Sequence, residues 1–223
     1  MSEISSRYNK QLIMDNDSFM KIINLEKYKG KTFQVDFDNG ETYFWHFDII
    51  CEYHLKEDMD IPDDALEEII SSNEFRKAKE RALYLLDYRD YSYTELFEKL
   101  EKNYSEDICY KVLERMVELG TIDDRRYAER LARHYSEVKK FGYYRASVEM
   151  NRRGIPREII DESLSEYEDT VYERLFELIN KKYYRYLDDE KGVKKVKNAL
   201  VRYGYSYEDI NAVLNEILNE SDG

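Results

Sequence analysis

Apolar positions recur along this chain at helical spacing in three copies set about fifty residues apart. Leu100, Met150 and Leu200 run in step with Ile108, Ile159 and Ile210, and again with Leu113, Leu164 and Leu214. In each copy the first residue closes an amphipathic helix, a short polar or Gly-containing turn follows, and the next two share one face of a second helix. The first copy shows its boundaries most clearly. Ser92 and Glu95 form an S-x-x-E capping box, so hydroxyl and carboxylate each take an orphan backbone N–H ahead of the stripe Leu96, Phe97 and Leu100. Ser105 caps the next helix, which Ile108, Val112, Leu113, Met116 and Leu119 line on its inner side. Gly120 suits a left-handed helix end, and Asp123 and Asp124 open the helix that carries Tyr127, Ala128, Leu131 and Ala132. A tandem array of small helical modules follows, and such arrays bury a core between neighbours while presenting a long surface to a partner.

Nearer the N-terminus the period changes to two. Phe33, Val35 and Phe37 alternate with polar residues, Asp38-Asn39-Gly40 supplies a tight turn, and Tyr43, Trp45 and Phe47 alternate in return. Asn-Gly here predicts a hairpin with a type I′ turn, in which both central residues need positive φ. Phe19 to Tyr28 is read as a third strand, because a lone hairpin is marginal in water. Trp45 is assigned to the core of this sheet in preference to a docking role. One helical turn is expected over 49–54, a connection over 55–61, and a helix starting at Pro62 whose face holds Ala65, Leu66, Ile69 and Ile70. Residues 74–88 continue as a helix burying Phe75, Ala78, Ala82, Leu85 and Leu86. The resulting division is a leader over 1–17, a β extension over 18–61, connecting helices over 62–90, and repeats over 91–135, 136–172 and 173–223.

Charge adds an asymmetry. The formal net charge of −13 excludes a surface that is basic throughout. Yet Lys139, Lys140, Arg145, Arg152, Arg153 and Arg157 cluster in the second repeat. The third gathers Lys181, Lys182, Arg185, Lys191, Lys194, Lys195, Lys197 and Arg202 against Asp188, Asp189 and Glu190. A solvated helix face and a partner surface both account for such runs. The 22 tyrosines are read as packing helix against helix, with base stacking at Tyr143 and Tyr144 beside Arg145 as the alternative. Cys51 and Cys109 are expected to be buried, reduced thiols. No apolar run reaches the ~20 residues needed to span a bilayer and no signal segment is evident, so a cytoplasmic protein is expected.

Candidate chemistry is sparse. Asp123 and Asp124 tempt as a catalytic pair, but adjacent carboxylates on one helix cannot face a single site, and an N-cap role fits Asp123 better. His46, His54 and His134 share no ligand spacing, and no phosphate loop, nucleophile elbow or CxxC pair occurs. No enzyme, metal or cofactor is expected.

One set of residues is distinctive in combination. Ala82-Leu83, Leu86, Arg89, Ser92, Glu95-Leu96, Lys99-Leu100, Leu119-Gly120, Ile122-Asp123-Asp124 and Tyr127-Ala128 resemble the RecX family of bacterial recombinase regulators. Gly142, Arg145, Glu149-Met150, Arg153-Gly154-Ile155, Ile159-Ile160 and Leu164 resemble its second repeat; Lys195, Leu200, Arg202, Gly204-Tyr205 and Ile210 resemble its third. Met150 stands where leucine is usual, a near-isosteric change. The resemblance spans residues 75–216 and implies a mainly α fold: tandem three-helix repeats in an elongated, curved array, here preceded by a small antiparallel β-sheet. It also implies a monomer that binds the RecA recombinase and its single-stranded DNA filament and limits filament growth, ATP hydrolysis and strand exchange. Of the matched positions, Ser92, Asp123, Gly142 and Gly154 are scaffold, whereas Arg145 and Arg153 have charge to spare. Lys139, Lys140, Arg145, Arg152, Arg153, Lys194, Lys195, Lys197 and Arg202 are therefore the expected partner-binding residues. The acidity of the chain points to weak or indirect nucleic-acid contact. Two other readings compete: an autonomous DNA-binding protein with helix-turn-helix-like modules, and a hydrolase that uses Asp123 and Asp124 around a metal.

Overall fold

The computed structural model describes residues 19–221. The leader assigned to residues 1–17 lies outside them. The chain divides into two units, one formed by residues up to Arg81 with Tyr104–Val112, the other by Ala82–Asn103 with Leu113 onward.

In the first unit, alternation of apolar and polar residues builds β1 (Phe19–Lys29), β2 (Thr32–Phe37) and β3 (Thr42–His46), followed by α1 (Phe47–Glu52), β4 (Asp60–Pro62) and α2 (Asp63–Tyr88). The sheet is antiparallel in the order β3-β2-β1-β4. Pairing of Leu25 with Val35 and of Val35 with Tyr43 sets one face inward, and Ile22, Val35, Phe37 and Trp45 form its core with Ile61, Leu66 and Ile69. Trp45 is 1% exposed, which makes it a core residue. Three expectations change. The segment read as a connection contributes a fourth strand, because Met20 pairs with Ile61 and covers the edge of β1. Only Gly40 of the hairpin turn has positive φ, so a three-residue loop with Gly in the left-handed position replaces the type I′ turn, and the Asn39 side chain instead accepts the Glu41 N–H at 2.9 Å. Cys51 is exposed, unlike buried Cys109.

Helices form the rest: α3 (Tyr93–Leu100), α4 (Glu106–Glu118), α5 (Asp124–Arg133), α6 (Tyr143–Asn151), α7 (Arg157–Ser165), α8 (Val171–Leu178), α9 (Glu190–Arg202) and α10 (Tyr207–Ser221). Ser92 makes the capping box with Glu95, Asp123 accepts the Arg126 N–H at 3.0 Å, and Gly120 is left-handed. Leu100, Met150 and Leu200 are all fully buried, as the repeat requires. In the second copy the core position falls to Ile160, with Ile159 only half-buried, and Leu119 is 47% exposed because Gly120 has already ended its helix. Two wider π-helical turns, His134–Val138 and Ile179–Tyr183, extend α5 and α8.

Two cores show how these helices group. One joins Tyr127, Ala128 and Ala132 of α5 to Ala146 and Met150 of α6 and Ile160 and Leu164 of α7. The other joins Leu175 and Leu178 of α8 to Val196 and Leu200 of α9 and Ile210, Val213 and Leu214 of α10. The first of these cores begins at α5, one helix ahead of the repeat assigned over 136–172, because α5 turns its stripe towards the helices that follow it; the second begins at α8, where the repeat assigned over 173–223 also starts.

Neighbouring modules join in one recurrent way. The head of one helix abuts the glycine turn after the corresponding helix of the next module, and two consecutive turn carbonyls accept its hydrogen bonds. At the first junction the Ser92 hydroxyl donates to the Arg153 carbonyl at 2.5 Å and the Thr94 hydroxyl to the Gly154 carbonyl at 3.2 Å. At the second, the Gly142 N–H donates to the Tyr203 carbonyl at 2.9 Å and the Tyr144 N–H to the Gly204 carbonyl at 3.2 Å. Donors sit at the cap and two residues beyond in both, but side chains serve in one and backbone in the other. Gly142 explains the change, since a Cβ there would stand 2.4 Å from the Gly204 oxygen.

Glycine substitutions should report these junctions. Gly154 and Gly204 have φ of +72° and +91°, and a Cβ would come within 2.6 Å of Thr94 Cβ and 2.2 Å of Arg145 N, respectively. Gly154→Ala and Gly204→Ala should each cost about 2–5 kcal/mol in urea unfolding, combining left-handed strain with overpacking. Gly120→Ala, at φ +65° with open space around it, should cost only about 1–2 kcal/mol.

Candidate partner interface

The two junctions share their backbone logic but differ in charge. At the first, the Glu95 carboxylate gathers Arg89 at 3.1 Å and Arg153 at 3.4 Å. Burial pulls both guanidiniums down, but for Arg89 its contact with Glu95, and for Arg153 the neighbouring Tyr127 and Glu95, outweigh this and leave both raised. Asp124 turns away from Asp123 to accept the Tyr93 N–H at 2.9 Å, and burial pushes its carboxyl up against the opposing pull of that bond. The two adjacent aspartates therefore serve two different helix ends, not one reaction centre.

At the second junction the position matching Glu95 is Arg145, and the position matching Arg153 is Tyr203. Arg145 is exposed, pairs along its own helix with Glu149 at 2.6 Å and lies over the Phe141 ring at 5.6 Å. Phe141, Arg145, Tyr183, Arg202 and Tyr203 line a depression of 410 Å³. Its rings meet edge to face, Phe141 with Tyr203 at 5.9 Å and Tyr183 with Tyr203 at 6.5 Å. Lys182 adds a third cation, 5.0 Å from the Tyr203 ring, and its hydrogen bond to the Tyr203 hydroxyl raises its pKa. Cations beside half-buried rings suit an anionic partner that carries planar groups.

The residues singled out by charge fall into two groups. Arg145 and Arg202 meet in this depression, and Lys139, Lys194 and Lys195 are exposed. Like Arg145, which pairs with Glu149 inside its own helix, the others have intramolecular partners. Lys140 pairs with Glu177 at 2.7 Å, Lys197 donates to Asn211 at 2.7 Å, Arg152 sits 3.4 Å from Glu149, and Arg153 is held by Glu95. Arg153 is thus part of the first junction, and its charge is not spare. Lys182 stood in the basic run of the third repeat but outside the expected contact set, and Phe141, Tyr183 and Tyr203 were not selected from sequence; the signal that marks these three is an aromatic residue beside a π-helical or glycine turn.

Comparison with known proteins agrees with this arrangement. Family models for the first, second and third three-helix domains of RecX match residues 78–116, 123–164 and 168–214. Regulatory protein RecX of Clostridium acetobutylicum is 30% identical over 217 residues, covering 94% of this chain and all of that protein. The chain belongs to the RecX family. Regulatory protein RecX of Prosthecochloris aestuarii is 33% identical over 67% of this chain and 99% of its own length. A crystal structure of regulatory protein RecX superposes with a TM-score of 0.69 at 19% identity, covering 88% of this chain and 99% of that one, which establishes likeness of fold. RecX from Lactobacillus salivarius gives 0.62 at 25% identity over 66% of this chain and 97% of its own. The second and third RecX domain models coincide with the two cores centred on α5–α7 and α8–α10. This RecX chain is accordingly a regulatory protein of mainly α architecture with a small antiparallel sheet. Among its described residues, no helix is long and apolar enough to cross a membrane.

Tyr205 gives the second junction a pH signature. Its buried hydroxyl donates to the Lys140 carbonyl at 2.9 Å, and burial pushes its pKa from 10.0 up to about 12 against the opposing effect of Arg174. The neutral form is favoured by folding, so this contribution is complete below pH 10 and is lost as pH rises to about 12. Tyr205→Phe should cost about 1 kcal/mol at neutral pH. Urea titrations should then show a smaller loss for the variant than for the parent across that alkaline window.

Proposed function

We propose that this RecX chain regulates the RecA recombinase by lying along its single-stranded DNA filament, with the second and third domains as the contact surface. The observation that carries this reading is the contrast between junctions. Glu95 neutralises the first, whereas Arg145 and Arg202 stand exposed around an aromatic depression at the second. Lys139, Lys194 and Lys195 are further exposed cations of the same two domains. Several weak contacts on a chain of joined modules act together, so binding across neighbouring filament subunits limits growth, ATP hydrolysis and strand exchange without a catalytic group in the regulator. The net charge of −13 confines contact to this surface and keeps binding to naked DNA weak.

ATP turnover by RecA on single-stranded DNA tests the proposal. Added protein should reduce turnover, and Arg145→Glu with Arg202→Glu should weaken that inhibition by about tenfold or more, the scale of two lost charge contacts. Asp124→Asn, which keeps an acceptor for Tyr93, should inhibit nearly as well as the parent. Unchanged turnover at saturating excess would overturn the reading. The cation-and-ring depression also favours autonomous DNA binding as a second reading; that alternative requires tight RecA-independent gel shifts with a steep salt slope.

A further inference from the structure

In the third module, α9 takes the place that α3 and α6 take in the first two. Where Ser92 and Gly142 meet the turn of a following module, the head of α9 borders a cavity of 750 Å³, within the size range of small-ligand sites. Its walls carry Tyr183 and Tyr186, and buried Val196 supplies an apolar surface. Arg185, Lys191 and Lys195 also line it. The Arg185 guanidinium lies 4.8 Å from the Tyr186 ring and donates to its hydroxyl at 2.7 Å, which fixes a cation against an aromatic face. Of the two acids on the rim, Asp189 is engaged as the N-cap, accepting the Gly192 N–H at 2.5 Å, and Asp188 is exposed. The helix end is therefore already capped, and the anionic part of any ligand must be met by the three cationic side chains.

We infer that this cavity is a nucleotide subsite, taking a planar base against Tyr183 and Tyr186 and its phosphate among Arg185, Lys191 and Lys195. A bare anion would leave the rings and Val196 unused. A neutral apolar ligand would have to enter past three cations. A nucleotide satisfies both halves, because every base offers a π face and every phosphate accepts charge-assisted hydrogen bonds. The same chemistry is available from a free nucleotide or from one residue of a single strand. The inference stands on this cavity alone and involves no contact with RecA.

Calorimetric titration of the full chain, without RecA, with ATP, with a short oligothymidylate and with inorganic pyrophosphate separates the possibilities. ATP should bind, and Lys191→Glu with Lys195→Glu, or Tyr186→Ala alone, should weaken binding by about tenfold, the scale of one lost stacking or charged contact. Tyr186→Phe should retain it, and Lys27→Glu, on β1 and outside the cavity, should leave it unchanged. Thermal melts confirm that each variant is folded. Binding of the oligonucleotide but not ATP, with the same variant pattern, assigns the site to a nucleotide within a strand and also supports the inference. No binding of either at millimolar concentration, indifference to the Lys191 and Lys195 changes, or pyrophosphate binding as well as ATP with Tyr186→Ala silent would each overturn it.

Discussion

The helical part of this RecX chain depends on one contact: a glycine turn whose two consecutive carbonyls accept hydrogen bonds from the head of a helix in the preceding module. A buried carbonyl without a donor is costly, and so is a helix head whose N–H groups lack acceptors. The junction satisfies the carbonyls in both cases, through the Ser92 and Thr94 hydroxyls at the first and through helix-head N–H groups at the second. Its geometry demands a residue without Cβ on the turn, because the chain is left-handed at Gly154 and Gly204 and the neighbouring module lies within van der Waals distance. Apolar cores stabilise each module, while this contact connects one module to the next.

A fixed backbone junction leaves the side chains around it free to differ. At the first, Glu95 draws Arg89 and Arg153 inward and the surface is neutralised. At the second, Arg145 takes the position of the acid, and the aromatic residues Phe141, Tyr183 and Tyr203 surround the cation. The same architecture thus produces a structural joint and an exposed cationic cleft. The potential over such a cleft is set by the few cations at short range, more than by the total charge of the molecule.

Much of the fold was legible locally. The Ser92 capping box, the Asp123 cap, the left-handed Gly120, the buried positions of Leu100, Met150 and Leu200, and the strands around Trp45 all rest on interactions within a few residues or on a simple apolar period. The candidate site was legible only in part. Arg145 and Arg202 emerged from charge runs, but the same criterion selected Arg153 and Lys140, whose acids lie 58 and 37 residues away. The rings that complete the cleft come from three separated segments, and no local pattern joins them. β4 escaped notice for the same reason: three residues carry little periodicity, and only pairing with β1 makes them a strand.

By itself, the sequence determined the helical modules, their caps and glycine turns, the β extension and the membership of the RecX family. These follow from propensity, apolar period and backbone stereochemistry, which act over short stretches of chain. Tertiary structure decided which helices share a core, which charges are paired and which remain available to a partner. Those outcomes depend on distances between residues remote in sequence: the Glu95 carboxylate, 58 residues away, draws Arg153 into a joint, whereas Arg145 pairs with Glu149 along its own helix and stays exposed.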